Sequence, residues 1–346
     1  MSLFSTEMVS KYHPDKYADQ ISDAVLTAVL KEDPTSHVAC ECLVKDDVVV
    51  LAGEITTKAK PDYWSIVNEV SQRLGYKVAE FRNYISEQSP EINNAVVSDK
   101  DIGAGDQGMM FGYAVNGGKY YLPYGQEVAI DIIKAIEDDI ENNENSPLLG
   151  DAKTQVTTDL SSEGFVKPID TILISVCHSK DYNLEQIKDY VCGLLSKGSI
   201  PKAKNLLINP AGTWNMGGPA ADCGLTGRKI VCDQYGGYAP VGGGAFSGKD
   251  PSKVDRSGCY MARKIAVDMV KKHGFDSCEV QLAYAIGVSQ PVSVSAFGLE
   301  KGNKIDISKE VISGYDLTPG GIIKALNLRS LDYSKIASGN HMIYFI

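Results

Sequence analysis

Residues 17–57 read YADQISDAVLTAVLKEDPTSHVACECLVKDDVVVLAGEITT and contain a helical pattern followed by two strand patterns. Apolar residues recur on one helical face, at Ile21, Ala24, Val25, Ala28 and Val29. Pro34 ends this pattern, and two strand-like runs follow at 37–44 and 48–57, joined by residues 45–47 as in a hairpin. A second helix is predicted over 62–74. The local unit is therefore helix, strand, strand, helix.

The same order of elements recurs twice along the chain. The second copy has predicted helices at 126–142 and 184–195 and strands at 153–160, 171–178 and 205–208. The third has predicted helices at 254–272 and 308–313 and strands at 277–286 and 291–297. Three copies about 110 to 130 residues apart predict an α/β (α+β) fold with three similar domains and pseudo-threefold symmetry, each a β-sheet covered by helices.

Composition excludes several classes of protein. The 346 residues are 43% hydrophobic, which is enough for two or three globular domains, and no apolar run reaches the roughly 20 residues of a membrane span. The first 16 residues lack a basic segment followed by an apolar one, so we predict a cytoplasmic protein with no membrane partner. A net charge of −10 argues against a nucleic-acid partner.

Eight cysteines are scattered along the chain without any CxxC pair. This spacing argues against a zinc site. We predict that they are reduced thiols, mostly buried as small hydrophobic side chains.

The loop at 242–255, GGGAFSGKDPSKVD, places Lys249, Asp250, Lys253 and Asp255 behind three glycines. Two cations, two carboxylates and bare backbone suit a polyphosphate that carries a divalent metal, and a solvated surface loop is the alternative. The pattern GxxxxGK is present, but Asp250 follows it where a P-loop needs Ser or Thr. A P-loop is therefore excluded.

Further charged loops lie far away in sequence. HPDK at 13–16 combines a His, an acid and a Lys, and the local interpretation favours Asp15 as a helix N-cap over Asp15 as a metal ligand. DCGLTGRK at 222–229 adds Arg228 and Lys229, and Asp151-Ala152-Lys153 adds a carboxylate and a lysine. Together with Lys249 and Lys253, these cations indicate a nucleoside triphosphate site.

GAGDQG at 103–108 matches the GxGxxG pattern of dinucleotide-binding folds, but the sequence after it, MMFGYAV, predicts a strand where that motif needs a helix. Asp106 is kept as a candidate for binding a cationic group, with a simple turn aspartate as the alternative. The stretch 86–125 is long and poor in regular patterns, which is typical of a lid or of disorder.

These segments together resemble the S-adenosylmethionine synthetases (methionine adenosyltransferases). The resemblance runs in order from the N-terminus to about residue 325, and its motifs are KYHPDKYADQISDAV at 11–25, VACE at 38–41, AGEIT at 52–56, EQSPEIN at 87–93, GAGDQGMMFGYA at 103–114, DAKTQVT at 151–157, GGPAADCGLTGRKI at 217–230 and GGGAFSGKDPSKVDRS at 242–257. Thr213 stands where many members have Arg, and the ending after Leu326 lacks the usual closing motif.

The resemblance implies that the sulfur of L-methionine attacks C5′ of ATP and displaces the whole triphosphate, which is then hydrolysed to pyrophosphate and phosphate. Two rival functions remain at this point. An ATP-dependent phosphotransferase or ligase would use similar loops and give a phosphorylated acceptor or AMP. A catalytically inactive nucleotide-binding module would need no complete site for a leaving group.

The resemblance also implies roles for individual positions. ATP would be bound by His13, Asp151, Lys153, Trp214, Asp222, Arg228, Lys229, Ala245 and Lys249. The catalytic residues among them would be His13, Lys153, Arg228 and Lys249. Methionine would be bound by Glu54, Gln88, Asp106, Asp222 and Lys253. Magnesium, two ions per site, would be held at Asp15 and Asp255, and potassium at Glu41.

Finally, the resemblance implies interleaved domains and a homodimer or homotetramer with active sites at the subunit interface. The three implied domains are 1–12 with 117–217, 13–89 with 218–257, and 103–116 with 258–346. Residues 90–102 would form a flexible lid loop.

Overall fold

The computed structural model describes residues 2–87 and 103–346, which form three four-stranded sheets with helices packed on them. The strands are β1 (Leu3–Val9), β2 (His37–Lys45), β3 (Val48–Thr56), β4 (Glu80–Ser86), β5 (Gly108–Val115), β6 (Leu148–Asp159), β7 (Ile169–His178), β8 (Asn205–Ile208), β9 (Gly224–Leu225), β10 (Ser277–Tyr284), β11 (Ser293–Glu300) and β12 (Asn303–Asp306). The α-helices are α1 (Pro14–Glu32), α2 (Tyr63–Arg73), α3 (Tyr124–Asn142), α4 (Leu184–Lys197), α5 (Ile230–Asp233), α6 (Val254–His273), α7 (Ser308–Gly314), α8 (Pro319–Ala325) and α9 (Tyr333–Ile336). The predicted α/β fold with three sheets and covering helices is confirmed.

Each sheet takes its strands from distant parts of the chain. The strand orders are β1-β6-β7-β8, β4-β3-β2-β9 and β12-β11-β10-β5. In the first sheet, Leu3 pairs with Asp159. The N-terminal strand is therefore an edge strand of a sheet whose other strands come much later in the chain. Such pairing cannot be read from local periodicity. The exact domain boundaries remain predictions.

The predicted hairpin forms as β2 and β3, with Lys45 opposite Val48. Asp46 in the turn adopts φ 52°, a left-handed conformation that Asp tolerates better than most residues. From β3 the chain passes through α2 to β4, which pairs parallel with β3, as expected for a crossover through a helix.

Two long helices, α1 and α6, pack on the second and third sheets respectively. The helix α6 ends at Gly274, which adopts φ 71° and donates its N–H to the carbonyl of Val270. Both helices bury apolar faces, but both also bury full charges, including Asp19, Asp23 and Arg256. Buried charges of this kind need partners. Asp19 pairs with Lys16 on the same helix and Asp23 with Arg256, and the site loops add one backbone N–H donor to each carboxylate.

The C-terminal segment is packed in the core, although its sequence departs from the family pattern. His341 and Met342 are fully buried, and the ring of Phe345 stacks on Tyr260 of α6 with centroids 4.1 Å apart. This segment therefore supports the same helix whose N-terminus carries the glycine-rich loop.

All eight cysteines are free thiols, and six are buried, at Cys40, Cys42, Cys177, Cys232, Cys259 and Cys278. The prediction of mostly buried, unpaired thiols is confirmed. No helix in the described ranges has the length and apolarity needed to span a membrane.

Candidate active site

The first part of the site is the N-terminus of α1. His13, and not Asp15, is the N-cap: its Nδ1 accepts a hydrogen bond from the backbone N–H of Asp15 at 3.1 Å. The predicted capping role of Asp15 is therefore wrong. Pro14 occupies the first helical position, where its missing N–H costs nothing, and this makes the residue before it the cap.

The ring of His13 is neutral near pH 7. Burial and, to a lesser extent, the positive charge of Lys229 lower its pKa to about 4, against the opposing effect of Asp15. Because Nδ1 accepts a hydrogen bond, the single ring proton lies on Nε2. His13 can therefore donate one uncharged hydrogen bond from Nε2.

Asp15 receives donors from the loop 222–229. Its Oδ1 accepts the N–H of Leu225 at 2.9 Å, its Oδ2 forms a hydrogen-bonded ion pair with Lys229, and the Nε of Arg228 lies 3.9 Å from Oδ1. Burial acts to raise the pKa of Asp15, but the bonds from Lys229 and Leu225 outweigh it and the net shift is downward. Asp15 is therefore ionised and linked to both cations of this loop.

Asp151 at the start of β6 faces the same group of charges. Its Oδ2 accepts the N–H of Gly218 at 2.7 Å, while its buried Oδ1 has no hydrogen-bond partner in the part of the chain that the structure describes. Burial, with Asp222 and Asp15 nearby, raises its pKa to about 6. Lys153, two residues further along, pairs with Glu7 of β1 at 2.7 Å. A buried carboxylate oxygen without a donor suggests that a ligand group binds there.

We expect Asp151→Asn to stabilise the ligand-free protein at neutral pH. The folded-state pKa of Asp151 lies above its unfolded value, from 3.8 to about 6, so ionising this buried carboxyl weakens the fold as pH rises through that window. Asn avoids this ionisation and keeps an acceptor for Gly218. The gain in free energy of unfolding should be small near pH 4, grow to at most about 3 kcal/mol by pH 7 and then stay constant. Urea unfolding across this pH range checks it, and a pH-independent difference would contradict it.

The second part of the site is the loop 242–255 at the start of α6. Nζ of Lys249 lies 2.5 Å from Oδ2 of Asp255, and Nζ of Lys253 lies 3.8 Å from Oδ1 of Asp250. Asp250 is buried and accepts the backbone N–H of Val38 on β2 at 2.8 Å, which fixes the loop to the second sheet. Lys249 is partly exposed to solvent, whereas Asp255 is largely buried beneath it.

Asp106 lies close to this second loop. The negative charge of Asp106 contributes to the raised pKa of Asp255, after the larger effect of burial. The backbone near Asp106 also touches the loop, since a Cβ added at Gly105 would lie 3.3 Å from the carbonyl oxygen of Ser252. The side-chain oxygen of Asp106 accepts the N–H of Gln107, as expected for a turn aspartate. Asp106 therefore stabilises its own turn and also lies near Asp255.

The two loops contact each other through Gly227 and Ala245. A Cβ added at Gly227 would lie only 2.3 Å from the Cβ of Ala245, so the two loops pack closely at this point. Arg228 and Lys229 directly follow Gly227 in one loop, and Lys249 lies four residues after Ala245 in the other. Two loops that carry cations from separate sequence motifs are therefore in contact, and a shared anion site remains a prediction.

Glu41 and Glu54 lie apart from these contacts, with their side chains exposed on one face of the second sheet. The neighbours of Glu41 in sequence nonetheless bind both loops: Cys40 donates its N–H to the carbonyl of Gly248, and the carbonyl of Cys42 accepts the N–H of Thr226. Glu41 therefore stands between the points where the two loops join β2.

Of two further predicted site residues, Trp214 and Gln88, the structure describes only Trp214. Trp214 is partly buried, and its Nε1 donates to the carbonyl of Met216 at 2.6 Å, which fixes the indole near the segment that binds Asp151. Gln88 and the predicted lid 90–102 lie outside the described residues.

A magnesium ion fits this donor set. In the described ranges, no three His, Cys, Asp or Glu side chains are grouped closely enough to hold a metal by themselves. Magnesium commonly takes only one or two protein carboxylates and completes its ligands with water and substrate phosphates. Asp15 and Asp255 each supply one such carboxylate beside a cation-rich loop.

Several charged residues of the site region were missed by the sequence predictions. They are Glu7, Lys16, Asp19, Asp23 and Arg256. For two of them a signal was present, because Asp15, Asp19 and Asp23 recur every four residues and so share one face of α1.

Comparison with known proteins gives matches over nearly the whole chain. The N-terminal, central and C-terminal domains of S-adenosylmethionine synthetase match residues 1–98, 101–214 and 216–344. An S-adenosylmethionine synthase of Brachyspira hyodysenteriae is 41% identical over 364 residues, covering 98% of this chain and 92% of the relative.

The three-sheet fold and these matches define an enzyme of the methionine adenosyltransferase class. The chain belongs to the S-adenosylmethionine synthetase family.

Proposed function

We propose that this enzyme joins ATP and L-methionine by attack of the methionine sulfur on C5′, and that it then hydrolyses the displaced tripolyphosphate to pyrophosphate and phosphate. The observation that carries the proposal is the contact between the two cation-bearing loops at Gly227 and Ala245. A leaving tripolyphosphate develops charge along its whole length, and fixed cations on both sides of it lower the barrier.

The phosphates would be bound by Lys153, Arg228, Lys229 and Lys249. Lys229 and Lys249 are held by Asp15 and Asp255, so each cation already has a fixed position before substrate arrives. Two magnesium ions at Asp15 and Asp255 would neutralise charge on the phosphate oxygens. Glu41 would bind an activating potassium ion.

His13 would act at the bond that breaks. Its neutral ring carries a proton on Nε2, which suits a hydrogen bond to the bridging oxygen of ATP without adding a charge at C5′. Asp151, Asp222 and Ala245 would complete the nucleotide site, and Trp214 would stack on the adenine.

Methionine would lie beside the second loop. Acids at Glu54, Asp106 and Asp222 would face its ammonium group, and Lys253 or Gln88 would face its carboxylate. The closeness of Asp106 to Asp255 supports this arrangement, because it gives the second loop an acid that can face the ammonium group while the sulfur attacks C5′ on the side opposite the leaving tripolyphosphate.

A homodimer or homotetramer with shared sites is part of the proposal. Glu41 and Glu54 project from the face of β2 and β3 opposite the one that packs on α1, so a second subunit on that face would place them next to its own loops. We further propose the three interleaved domains given above, a lid at 90–102 and a cytoplasmic location, the last supported by eight free thiols.

The deciding experiment is incubation of the protein with ATP, magnesium, potassium and L-methionine, with products measured by mass spectrometry and phosphate assay. We expect S-adenosylmethionine with equal amounts of pyrophosphate and phosphate, and none when methionine is omitted. AMP or a phosphorylated acceptor would support a ligase or phosphotransferase instead. ATP binding without any product would support the inactive binding module.

A further inference from the structure

Three carboxylates along α1 each hold one backbone amide of the site loops. Oδ1 of Asp15 accepts the N–H of Leu225 at 2.9 Å, Oδ1 of Asp19 that of Gly227 at 2.8 Å, and Oδ1 of Asp23 that of Gly248 at 2.8 Å. The four-residue spacing places successive carboxylates about 6 Å apart along the helix axis. We call these three residues the aspartate ladder.

Asp19 and Asp23 bind equivalent positions in the two loops. Gly227 and Gly248 both adopt φ 78°, and each directly precedes a cation, Arg228 in one loop and Lys249 in the other. One helix therefore holds two loops by the same contact at the same position relative to a phosphate-binding residue.

These two contacts are built from charges that are expensive to bury. Asp19 and Asp23 are both fully buried; Asp19 lies 3.3 Å from Nζ of Lys16, and Asp23 makes a bidentate pair with Arg256 at 2.6 Å for both bonds. Well-packed apolar residues would often give equal or greater stability at such sites, so stability alone is a weak explanation for the two pairs.

We propose that Asp19 and Asp23 are positioning residues for catalysis, which hold Arg228 and Lys249 in place by fixing their two loops to one rigid helix. This inference rests on the proposed function. Neither carboxylate touches substrate; Asp19 acts through Gly227 and Arg228, and Asp23 acts through Gly248 and Lys249. Displacement of a catalytic group by about 1 Å can lower a rate by roughly 100-fold, so small loop shifts are sufficient.

The test uses Asp19→Asn and Asp23→Asn in the full-length protein. Each change keeps the size of the side chain but replaces the ionised acceptor with a neutral amide oxygen. The bond from Gly227 or Gly248 is therefore weakened, and the ion pair of the carboxylate is lost. We expect kcat/KM for ATP to fall by about 10 to 100-fold in each variant. The affinity for inorganic tripolyphosphate with magnesium, measured by calorimetry, should fall as well.

Glu127→Gln is the matched control. Glu127 is also a buried carboxylate that holds a loop, since it accepts the backbone N–H groups of Lys119, Tyr120 and Leu122 at 3.2, 2.8 and 3.3 Å. That loop carries none of the proposed site residues. We expect Glu127→Gln to lower thermal stability while leaving kcat/KM and tripolyphosphate affinity within about twofold of wild type.

A double-mutant cycle separates positioning from general support. If Asp23 acts through Lys249, Asp23→Asn should change activity by less than about twofold in a Lys249→Ala background, but keep its full effect in an Arg228→Ala background. Asp19→Asn should show the reverse pattern. Full additivity with both backgrounds, or variants that behave like Glu127→Gln, would overturn the proposal.

One additional variant and one additional comparison cover the cases of misfolding and of a wrong proposed function. If Asp23→Asn does not fold, Asp23→Asn combined with Arg256→Gln removes both charges of the buried pair and leaves neither unpaired; wild-type activity in that folded variant would overturn the role of Asp23. Wild-type protein with ladder-dependent tripolyphosphate binding but no S-adenosylmethionine would refute the proposed function and support the ladder.

Discussion

Lys249→Ala is expected to lower kcat by about 1,000-fold while the protein remains folded. Removing one preorganised charge that stabilises a transition state costs roughly 100 to 1,000-fold in rate, and Lys249 is the cation of its loop that is fixed both by Asp255 and by the backbone. Its backbone pairs with Ala39 on β2, so the rest of the loop keeps its anchor when the side chain is lost. Steady-state assays of S-adenosylmethionine formation give kcat, and thermal unfolding reports the fold.

Lys264→Ala is the control for this change. Nζ of Lys264 lies 2.5 Å from Oδ1 of Asp268 on α6, the same separation as between Lys249 and Asp255, but it lies two helical turns beyond the site loop. Loss of this partly exposed pair should change stability by less than about 1 kcal/mol and leave kcat unchanged. Similar kcat values for Lys249→Ala and wild type would remove Lys249 from the site.

Most regular elements were predictable because their periodicity is local. The helix α6 was predicted at 254–272 and observed at Val254–His273, and β8 was predicted with its observed bounds. β4 was missed because it is an edge strand with no fully buried residue, so its sequence shows no alternation. β1 was missed because its pairing partner, β6, comes after strands of both other sheets in the chain.

The site loops were predictable for a different reason. Glycines and charges in one short loop are a compositional signal, and the loops 222–229 and 242–255 carry it clearly. The aspartate ladder carries only its four-residue spacing as a signal, and that spacing is ambiguous because Asp on a helix usually faces solvent. Only the packed structure shows that one face of α1 is buried under both loops.

Gly248→Ala is expected to cause the largest loss of stability of any single methyl addition at the site. Gly248 adopts φ 78°, and an added Cβ would lie 1.8 Å from the carbonyl oxygen of Cys40, far inside van der Waals contact. The strained conformation costs about 1 to 2 kcal/mol, and relief of the clash costs about 1 to 3 kcal/mol more. Denaturant unfolding should therefore show a loss of about 2 to 5 kcal/mol.

Gly274→Ala separates the two causes of that loss. Gly274 adopts φ 71°, but an added Cβ there would meet nothing within 4 Å, so only the conformational cost of about 1 to 2 kcal/mol remains. The clash at Gly248 must also push the loop away from β2, which would break the N–H bonds to Asp23 and from Cys40 and displace Lys249. We therefore expect Gly248→Ala to lose at least about 100-fold in kcat/KM where folded, while Gly274→Ala keeps it. Equal stability losses in the two variants would show that the loop yields without cost, and its close fit to β2 would then have no part in placing Lys249.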